Sequence, residues 1–392
     1  MYLITNGQVV TETEILNNSE VLIDGENIVG IYASGTNKVT KLDTVINAEE
    51  GLIAPGFVDI HSDYIENMAS PRPTSVLDFD ISIRETEKIL INQGITTMFH
   101  SLSFIGEDEF SVKPIRSPEN VKALLEKIAQ THNRLHLIRH RFHARLEIDA
   151  VDNIEQIKQF ILAGKVQLLS FMDHSPGQGQ YRNLEIYRKT LKGYKKITDN
   201  EIDKVIAARQ GSEKMTLAMI QDIAELAHRK NIAIASHDDD TLEKIEFLKQ
   251  FGATISEFPI TIEVAKAAKA AGMLTLVGAP NILLGGSHSG NMSAAQAINE
   301  GVVDILCSDY YPAALLHAIF IMHEQYGQDL AKMFRLVTLN PAVAVKMDRE
   351  IGSIVPGKKA DVLIINKIEG DFPVITCVMV DGKVITQTNY RV

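Results

Sequence analysis

Apolar and polar residues alternate along both ends of the chain. This period of two, in YLITNGQVV and SEVLIDGENIVGIYAS near the start and VITCVMVDGKVITQT near the end, is typical of half-buried β-strands. Dipeptides that favour tight turns predict hairpins at Asn6-Gly7, Asp24-Gly25, Ser34-Gly35 and Asp381-Gly382. We therefore expect residues 1–52 and 350–392 to pair into one small sheet domain.

Between these ends, over residues 53–349, apolar runs that suit buried strands alternate with stretches of helical period. One helical stretch is SPENVKALLEKIAQTH, in which Ser117 and Pro118 predict a capped start. Eight strands, each followed by a helix or a long loop, favour a TIM-type (β/α)8 barrel, an α/β fold, over an open doubly wound sheet. The predicted strands are 56–63, 95–104, 135–148, 166–174, 232–240, 253–259, 274–281 and 303–312.

The longest stretch outside this alternation covers residues 175–212. It begins HSPGQGQYRN and is rich in Gly, Tyr and Lys. Long insertions in a compact fold often carry function. We expect this segment to form a lid or a substrate loop over the open end of the barrel.

The composition narrows the possible partners. The chain has 392 residues, with 39 Lys and Arg against 50 Asp and Glu, so its net charge is −11. An acidic surface argues against nucleic-acid binding, although a local cationic pocket can still take a small phosphorylated substrate. The two cysteines, Cys307 and Cys377, supply neither a disulfide framework nor a zinc motif.

The sequence also bears on the protein's location. The N-terminus lacks a basic segment followed by an apolar one, and no apolar run reaches about 18 residues. We therefore expect a soluble cytoplasmic protein that binds neither membranes nor nucleic acid. The oligomeric state is left open, a homo-oligomer included.

Polar residues collect where the predicted barrel strands end, which is where a barrel keeps its active site. His61 and Asp63 follow the first strand and point the same way, because side chains alternate along a strand. An imidazole and a carboxylate together suit a borderline divalent ion such as zinc or manganese. Further candidates end later strands: Asp173 and His174 on the fourth, His237 on the fifth, Glu257 on the sixth and Asp309 on the eighth.

Some of these acidic residues have a second explanation, because Asp is also a favoured helix N-cap. For Asp239 and Asp240, which come soon after His237, a cap is the better explanation. His237 itself has no such explanation, because His is a poor cap. For Asp309, a cap and a functional role both remain open.

The third strand places Arg141, His143, Arg145 and Glu147 on one face. A barrel interior is normally filled by Val, Ile and Leu, so charges there must be paired or must bind a ligand. For the arginines, a self-satisfied stack of salt bridges below the site and a ligand-binding role are both open. Glu147 lies nearest the open end and is the better candidate for a metal ligand.

The seventh strand leads into a loop, GGSHSGN, with three glycines. Such a loop can offer backbone N–H groups to an anion, although the phosphate-binding pattern G-x-x-x-x-G-K-[ST] is absent. His288 in this loop could bind substrate or donate a proton, and a flexible loop histidine is the alternative.

Taken together, His and carboxylate side chains from the ends of strands one, four, five and eight would converge at one end of the barrel. A divalent ion held there lowers the pKa of a bound water to near neutrality. A neighbouring carboxylate can orient that water or take its proton. The residues thus predict a metal-dependent hydrolase.

At these residues the chain resembles the amidohydrolase superfamily. GLIAPGFVDIH leads into the first barrel strand, and GSIVPGKKADVLIIN precedes the closing strands. Within the superfamily, the chain is similar to the PhnM-type hydrolases of phosphonate utilisation, through MDHSPGQ, ASHDD, EFP, GAPNI, GGSHSGN, SDYYPA and NPA, in that order along the barrel.

The resemblance implies a fold and a reaction. The two ends of the chain would form a small β-sandwich domain, with the barrel inserted between them. Hydrolases of this type cleave α-D-ribose 1-methylphosphonate 5-triphosphate, release diphosphate and leave the 5-phosphate. The cofactor implied is one or two divalent ions, zinc first, with manganese or iron as alternatives.

The resemblance also implies roles for residues. Asp309 would be the water-orienting base, and His288 is the second catalytic candidate. Arg72, in ASPRPTS, matches a family element and is the expected phosphate contact. Other expected substrate contacts are His174, Asn281, His288 and Tyr310. The expected metal ligands are His61, Asp63, Asp173, His237 and Asp309, with Glu147 competing for the bridging position of Asp173.

The chain departs from the family pattern at three places. Gly179 and Leu284 stand where arginines are expected, and Glu257 stands where the superfamily has a histidine. Loss of the arginines favours an alternative, an amidohydrolase acting on an amide or a cyclic ureide. A second alternative is a noncatalytic barrel subunit of a phosphonate-processing complex, which the intact candidate ligands oppose.

Overall fold

The structure is a computed structural model that describes residues 1–391 except 38, 40–41, 73, 106–112, 182, 195–196 and 288–290. Within this described part, no helix is both long and apolar enough to span a membrane. Its strands, in chain order, are β1 Tyr2–Val10, β2 Ile15–Asp24, β3 Asn27–Ala33, β4 Thr44–Asn47, β5 Leu52–Pro55, β6 Phe57–Ser62, β7 Ile95–Phe104, β8 Arg139–Glu147, β9 Leu168–Met172, β10 Ala233–His237, β11 Ile255–Glu257, β12 Leu274–Gly278, β13 Ile305–Cys307, β14 Val362–Ile368, β15 Phe372–Val380 and β16 Lys383–Gln387.

Helices lie between the barrel strands and after them. They are α1 Tyr64–Ala69, α2 Phe79–Asn92, α3 Pro118–Gln130, α4 Ile154–Leu162, α5 Leu184–Tyr194, α6 Asp199–Gln210, α7 Leu217–Arg229, α8 Leu242–Gln250, α9 Ile262–Ala270, α10 Ala279–Leu283, α11 Ala294–Asn299, α12 Ala314–Tyr326, α13 Leu330–Arg335 and α14 Leu339–Ala344. Helix α3 begins as its sequence predicts, because the Ser117 side chain accepts a hydrogen bond from the backbone N–H of Asn120.

Strands β6 to β13 are parallel and pair in chain order. The circle closes between β13 and β6, where Ser62 and Asp309 form a parallel bridge. There the backbone N–H of Asp309 donates to the carbonyl of His61 (3.1 Å), and the N–H of Asp63 donates to the carbonyl of Asp309 (3.0 Å). The predicted (β/α)8 barrel is therefore confirmed.

Apolar side chains fill both faces of the barrel wall. Phe142 and Leu146 belong to an outer cluster that packs against the helices. Phe99, Leu168 and Leu276 belong to an inner cluster that fills the barrel. Above this inner cluster, polar side chains lie at the C-terminal ends of the strands. We call this end of the barrel the mouth.

The two ends of the chain form one mixed sheet in the order β16-β15-β14-β5-β1-β2-β3, with β4 also paired to β1. Ile4 and Val21 from the start of the chain share an apolar cluster with Ile364 and Met379 from its end. The expectation that both ends build one small β unit is confirmed. The Asp381-Gly382 hairpin is also confirmed, with both residues at positive φ between β15 and β16.

Two of the predicted hairpins are wrong. Asn6-Gly7 lies inside β1 at an irregularity of its pairing with β2, and an added Cβ on Gly7 would come 2.6 Å from Ile53. Glycine is needed there for close approach, and the chain does not turn back. After the turn at Ser34-Gly35, β4 pairs in parallel with β1 and does not return beside β3.

The insert at residues 175–212 contains α5 and α6. Tyr187 packs with Ile202 and Ile206 in a small apolar cluster. Arg209 of α6 forms an ion pair with Asp149, just after β8, at 3.3 Å. The insert is thus attached beside the mouth, and its role as a lid stays a prediction.

A buried ion-pair cluster joins the barrel to the terminal sheet. Arg139, at the start of β8, bonds both oxygens of the buried Asp361 and also contacts Asp381. We expect Arg139→Ala to destabilise the protein by about 3–5 kcal/mol, because it leaves Asp361 buried without its cation. Thermal melting should show the loss. Arg134→Ala, which breaks an exposed pair with Asp80, should cost about 0–1 kcal/mol. Equal melting temperatures for the two variants would contradict the assignment.

Candidate metal centre

Three side chains from three strand ends converge at the mouth. His61 on β6, His237 on β10 and Glu257 on β11 each offer one ligand atom, and these atoms lie within 4.8 Å of one another. All three residues are buried. Nδ1 of His61 donates to Oε1 of Glu257 over 2.9 Å, which fixes the orientation of both side chains.

Two atoms of this group lack partners. Among the described residues, Oε2 of Glu257 and Nδ1 of His237 are buried and make no hydrogen bond. Nδ1 of His237 lies 3.3 Å from Oδ2 of Asp238, outside hydrogen-bonding geometry. Orphaned buried polar atoms are costly, and a bound cation would satisfy the free oxygen of Glu257. Two imidazoles and one carboxylate are also a ligand set found at catalytic zinc sites. The residues present therefore fit a divalent ion.

The protonation of the two histidines suits this role. Burial lowers the pKa of His61 well below its usual value, and the charge of Arg145 lowers it further. Burial also lowers the pKa of His237, to about 4, against the opposing charge of Asp238. Both imidazoles are neutral at pH 7, as a metal ligand must be.

A second group shares His237. It consists of His174, His237 and Asp238, again with one ligand atom each within 4.8 Å. His174 lies between two carboxylates: its Nδ1 donates to Glu147, and its Nε2 donates to Asp238 over 3.1 Å. Burial alone would lower the pKa of His174, but Glu147 and Asp238 outweigh burial and raise it to about 9. At neutral pH, His174 is a cation held between two anions.

Glu147, one of the predicted ligands, is therefore paired with His174 in this structure. Burial would raise the pKa of Glu147, but the charge of His174 outweighs this and lowers it to about 2. The insert contributes to the same corner, because the ring of Tyr181 lies 6.1 Å from the ring of His174.

Asp63 and Asp309 lie together on the β6–β13 side of the mouth. Oδ2 of Asp63 is 3.4 Å from Nη2 of Arg116. Burial, and next the charge of Asp63, raise the pKa of Asp309 to about 7. A bound divalent cation would act in the opposite direction and favour the carboxylate form of Asp309.

The inward face of β8 carries the residues that the alternation predicts. His143 bonds Ser101 (3.0 Å) and Ser170 (2.9 Å) inside the barrel. Above it, Nη2 of Arg145 lies 3.3 Å from Nε2 of His237. The sequence left open whether Arg145 belongs to a stack of salt bridges below the site. In the structure, Arg145 lies at the mouth, beside the candidate ligand His237.

Several predicted residues have other partners or positions. Asp173 pairs with Lys214 at 3.0 Å and accepts from the N–H of Ser175. Asn281 donates to the carbonyl of Met292 and accepts from the N–H of Ala294, which ties the two ends of a loop together. Three predicted substrate-binding residues remain. Arg72 is exposed on the loop between α1 and α2, and Tyr310 is partly exposed beside Asp309. His288 lies outside the described residues.

The cap prediction for Asp239 and Asp240 is wrong. The N-cap of α8 is Thr241, whose side chain accepts from the N–H of Lys244. Asp239 is fully buried and accepts from the hydroxyls of Ser236 and Ser256 (2.5 Å for Ser256). Asp240 accepts from the N–H of Gly179, which fastens the insert to the mouth.

Asp238 is a mouth residue that sequence reasoning missed. Alternation places neighbours such as His237 and Asp238 on opposite faces of a strand, but the backbone turns at Asp238 with φ +51°. Phe258 (φ +53°) and Asp309 (φ +57°) also adopt left-handed conformations directly after their strands. Such strain in non-glycine residues is often found at functional sites. The sequence signal that could have pointed to Asp238 is the run of three aspartates directly after His237.

The chain is similar to known hydrolases. The profile of the amidohydrolase family matches residues 52–385. The chain is 32% identical, over 374 residues, to the alpha-D-ribose 1-methylphosphonate 5-triphosphate diphosphatase of Escherichia coli (strain K12), covering 93% of this chain and 95% of that protein. A stretch of 61 residues, 16% of this chain and 14% of the relative, is 46% identical to a dihydroorotase of Staphylococcus epidermidis.

Solved structures agree on the fold. N-acetylglucosamine-6-phosphate deacetylase from Pasteurella multocida aligns with a TM-score of 0.66 at 13% identity, covering 99% of this chain and 100% of that one. The resemblance inferred from the motifs is thus confirmed. The chain belongs to the amidohydrolase family and is a hydrolase of that superfamily.

Proposed function

We propose that this hydrolase cleaves α-D-ribose 1-methylphosphonate 5-triphosphate, a small phosphorylated substrate, and releases diphosphate. The observation that carries the proposal is the 32% identity to the Escherichia coli diphosphatase over nearly the full length of both chains. In support, the mouth has a group of side chains that could hold a divalent ion, with two buried atoms that lack partners among the described residues.

His61, His237 and Glu257 would hold a single divalent ion, with zinc as the first candidate. When bound, such an ion supplies Lewis-acid activation of water and of the phosphoryl group. The hydrogen bond from Nδ1 of His61 to Glu257 would keep the His61 ring oriented for this role.

Asp309 would orient the attacking water and accept its proton. It forms the closing bridge between β13 and β6 with Ser62, and its backbone N–H donates to the carbonyl of His61. Its left-handed backbone places the side chain at the mouth, where an added Cβ on Gly278 would lie 3.4 Å from Oδ2 of Asp309. A carboxylate in such a place suits general-base work.

His174 would help to bind the anionic substrate. Glu147 and Asp238 hold its imidazole ring in place at the mouth. The insert at residues 175–212, which contacts this corner through Tyr181, would cover the substrate when it is bound.

A second candidate function is hydrolysis of an amide or a cyclic ureide. Two observations favour it. The expected phosphate-binding arginines are replaced by Gly179 and Leu284, and the side chain of Leu284 is 63% exposed. A short stretch is also 46% identical to a dihydroorotase.

One assay separates the two functions. The metal-loaded protein should be incubated with ribosyl and nucleoside triphosphates and, in parallel, with dihydroorotate, hydantoin and simple amides. Release of diphosphate, and not of single phosphate, from a ribosyl triphosphate is the expected result. Ring opening of the ureides with no release of diphosphate would overturn the proposal in favour of the second candidate.

The purified protein should contain about one divalent ion per chain, as measured by elemental analysis. Chelation should abolish hydrolysis, and zinc or manganese should restore it, because His237 and Glu257 would hold an ion essential to the reaction. Wild-type activity in protein shown to be free of metal would contradict the assignment of a metal centre.

A further inference from the structure

Arg145 occupies an unusual position for a cation. It lies near the end of β8 on the inward face, with Nη2 3.3 Å from Nε2 of His237 and Nε 3.2 Å from Sδ of Met172. Its neighbours in the mouth are therefore a neutral imidazole and a thioether, neither of which balances a positive charge.

Carboxylates are abundant nearby, yet none in the described part of the chain pairs with Arg145. The mouth contains Asp63, Glu147, Asp238, Glu257 and Asp309. No carboxylate oxygen of the described residues lies within 4.0 Å of the Arg145 guanidinium, although its charge affects the pKa of several mouth residues, lowering those of His61 and Asp309.

Another arginine of the same strand shows the contrast. Arg139, at the base of β8, is held by Asp361 and Asp381. Arg139 thus has two carboxylate partners, whereas the guanidinium of Arg145 contacts an imidazole and a thioether. A partly buried guanidinium without a counter-ion is unfavourable unless a ligand supplies the missing charge.

We propose that Arg145 binds an oxyanion of the substrate, a phosphoryl group placed between its guanidinium and the metal ligands His61, His237 and Glu257. The inference rests on the proposed function and extends it to a named contact and a chemical class. A guanidinium binds phosphate oxygens in a fork, which fixes orientation as well as charge. An anion between Arg145 and a bound cation would also relieve the repulsion between those two positive charges.

The test is calorimetric titration of the metal-loaded, full-length protein with inorganic phosphate, and with acetate in parallel. The variants are Arg145→Gln, Arg145→Lys and the control Arg229→Gln. Arg229 is exposed at the end of α7, which leads into the start of β10, the end of the barrel opposite the mouth. We expect Arg145→Gln to weaken phosphate binding about tenfold or more, Arg145→Lys to weaken it less, and Arg229→Gln to leave it unchanged.

A melting curve without anion separates binding from a structural role. Removing an unpaired cation should leave the melting temperature of Arg145→Gln unchanged or higher, whereas a structural arginine would lower it. A lower melting temperature with wild-type phosphate affinity would overturn the inference, and so would the absence of phosphate binding in the wild type. Arg145-dependent binding of acetate but not of phosphate would overturn the phosphoryl assignment.

The outcomes also separate this inference from the proposed function. If diphosphate is released from the triphosphate but Arg145→Gln binds phosphate as the wild type does, the role of Arg145 fails alone. If phosphate binds through Arg145 but no triphosphate is cleaved, the proposed reaction fails alone.

Discussion

Replacing Asp309 by asparagine should lower kcat by about 10²- to 10⁴-fold. Asparagine has nearly the same shape as aspartate and can keep the local contacts, but its amide cannot accept a proton from water. The backbone N–H and carbonyl of residue 309, which close the barrel against His61 and Asp63, are unaffected by the substitution. The loss should therefore appear in kcat, with little change in KM or in the fold.

Steady-state kinetics on the reaction identified by the substrate assay would measure this effect, with circular dichroism and metal content determined on the same samples. Asp371→Asn is the matched control, because Asp371 is 86% exposed in the turn between β14 and β15, and the activity of this variant should equal the wild type. A kcat within threefold of the wild type for Asp309→Asn would remove Asp309 from the role of base.

The barrel could be predicted because its causes are local. Each strand is a short apolar run with a helix or loop after it, and the order of eight such units leaves little choice of topology. Even β13, only Ile305–Cys307, was recognisable as an apolar run followed by a polar strand end. His61 and His237 were found for the same reason, since they end predicted strands.

The details of the mouth could not be predicted because their causes are not local. In the sequence, Glu257 was one of several polar residues at strand ends and a departure from the family pattern, and its bond with His61 joins residues 196 positions apart. Asp238 faces the mouth only because its backbone turns left-handed, and alternation assigns it to the other face. Asp239 was interpreted as a cap because Asp is a favoured N-cap. Its actual partners, Ser236 and Ser256, lie on two strands that meet only in the fold.

The mouth also shows why the arginines of β8 were ambiguous. In the sequence, Arg141 and Arg145 lie on one face and cannot be told apart, and Arg139 has the same period of two. In the fold, Arg139 reaches carboxylates of the terminal sheet, which are more than 200 residues away along the chain. Arg145 instead reaches His237 at the mouth. Whether a buried charge is structural or functional depends on partners that only the tertiary structure reveals.

Glu257→Gln should weaken metal binding about 10- to 100-fold or more. Glutamine keeps an oxygen that can accept from Nδ1 of His61, but it replaces the charged group whose Oε2 is buried and lacks a hydrogen-bond partner. Competition with a chromogenic chelator would measure the affinity, and excess metal should restore part of the activity. Glu246→Gln, an exposed change on α8, is the control and should bind metal as the wild type does.

The same variant should be less stable than the wild type when metal is bound, but not when metal is absent. A 100-fold loss of affinity corresponds to about 2.7 kcal/mol less stabilisation when metal is saturating. Without metal, the wild type keeps a buried carboxyl group with one oxygen unpaired, so removing its charge should leave the melting temperature unchanged or higher. A purely structural Glu257 would give a lower melting temperature in both states. That result, with unchanged metal affinity, would exclude Glu257 as a ligand. Its role at the end of the sixth barrel strand would then be structural only.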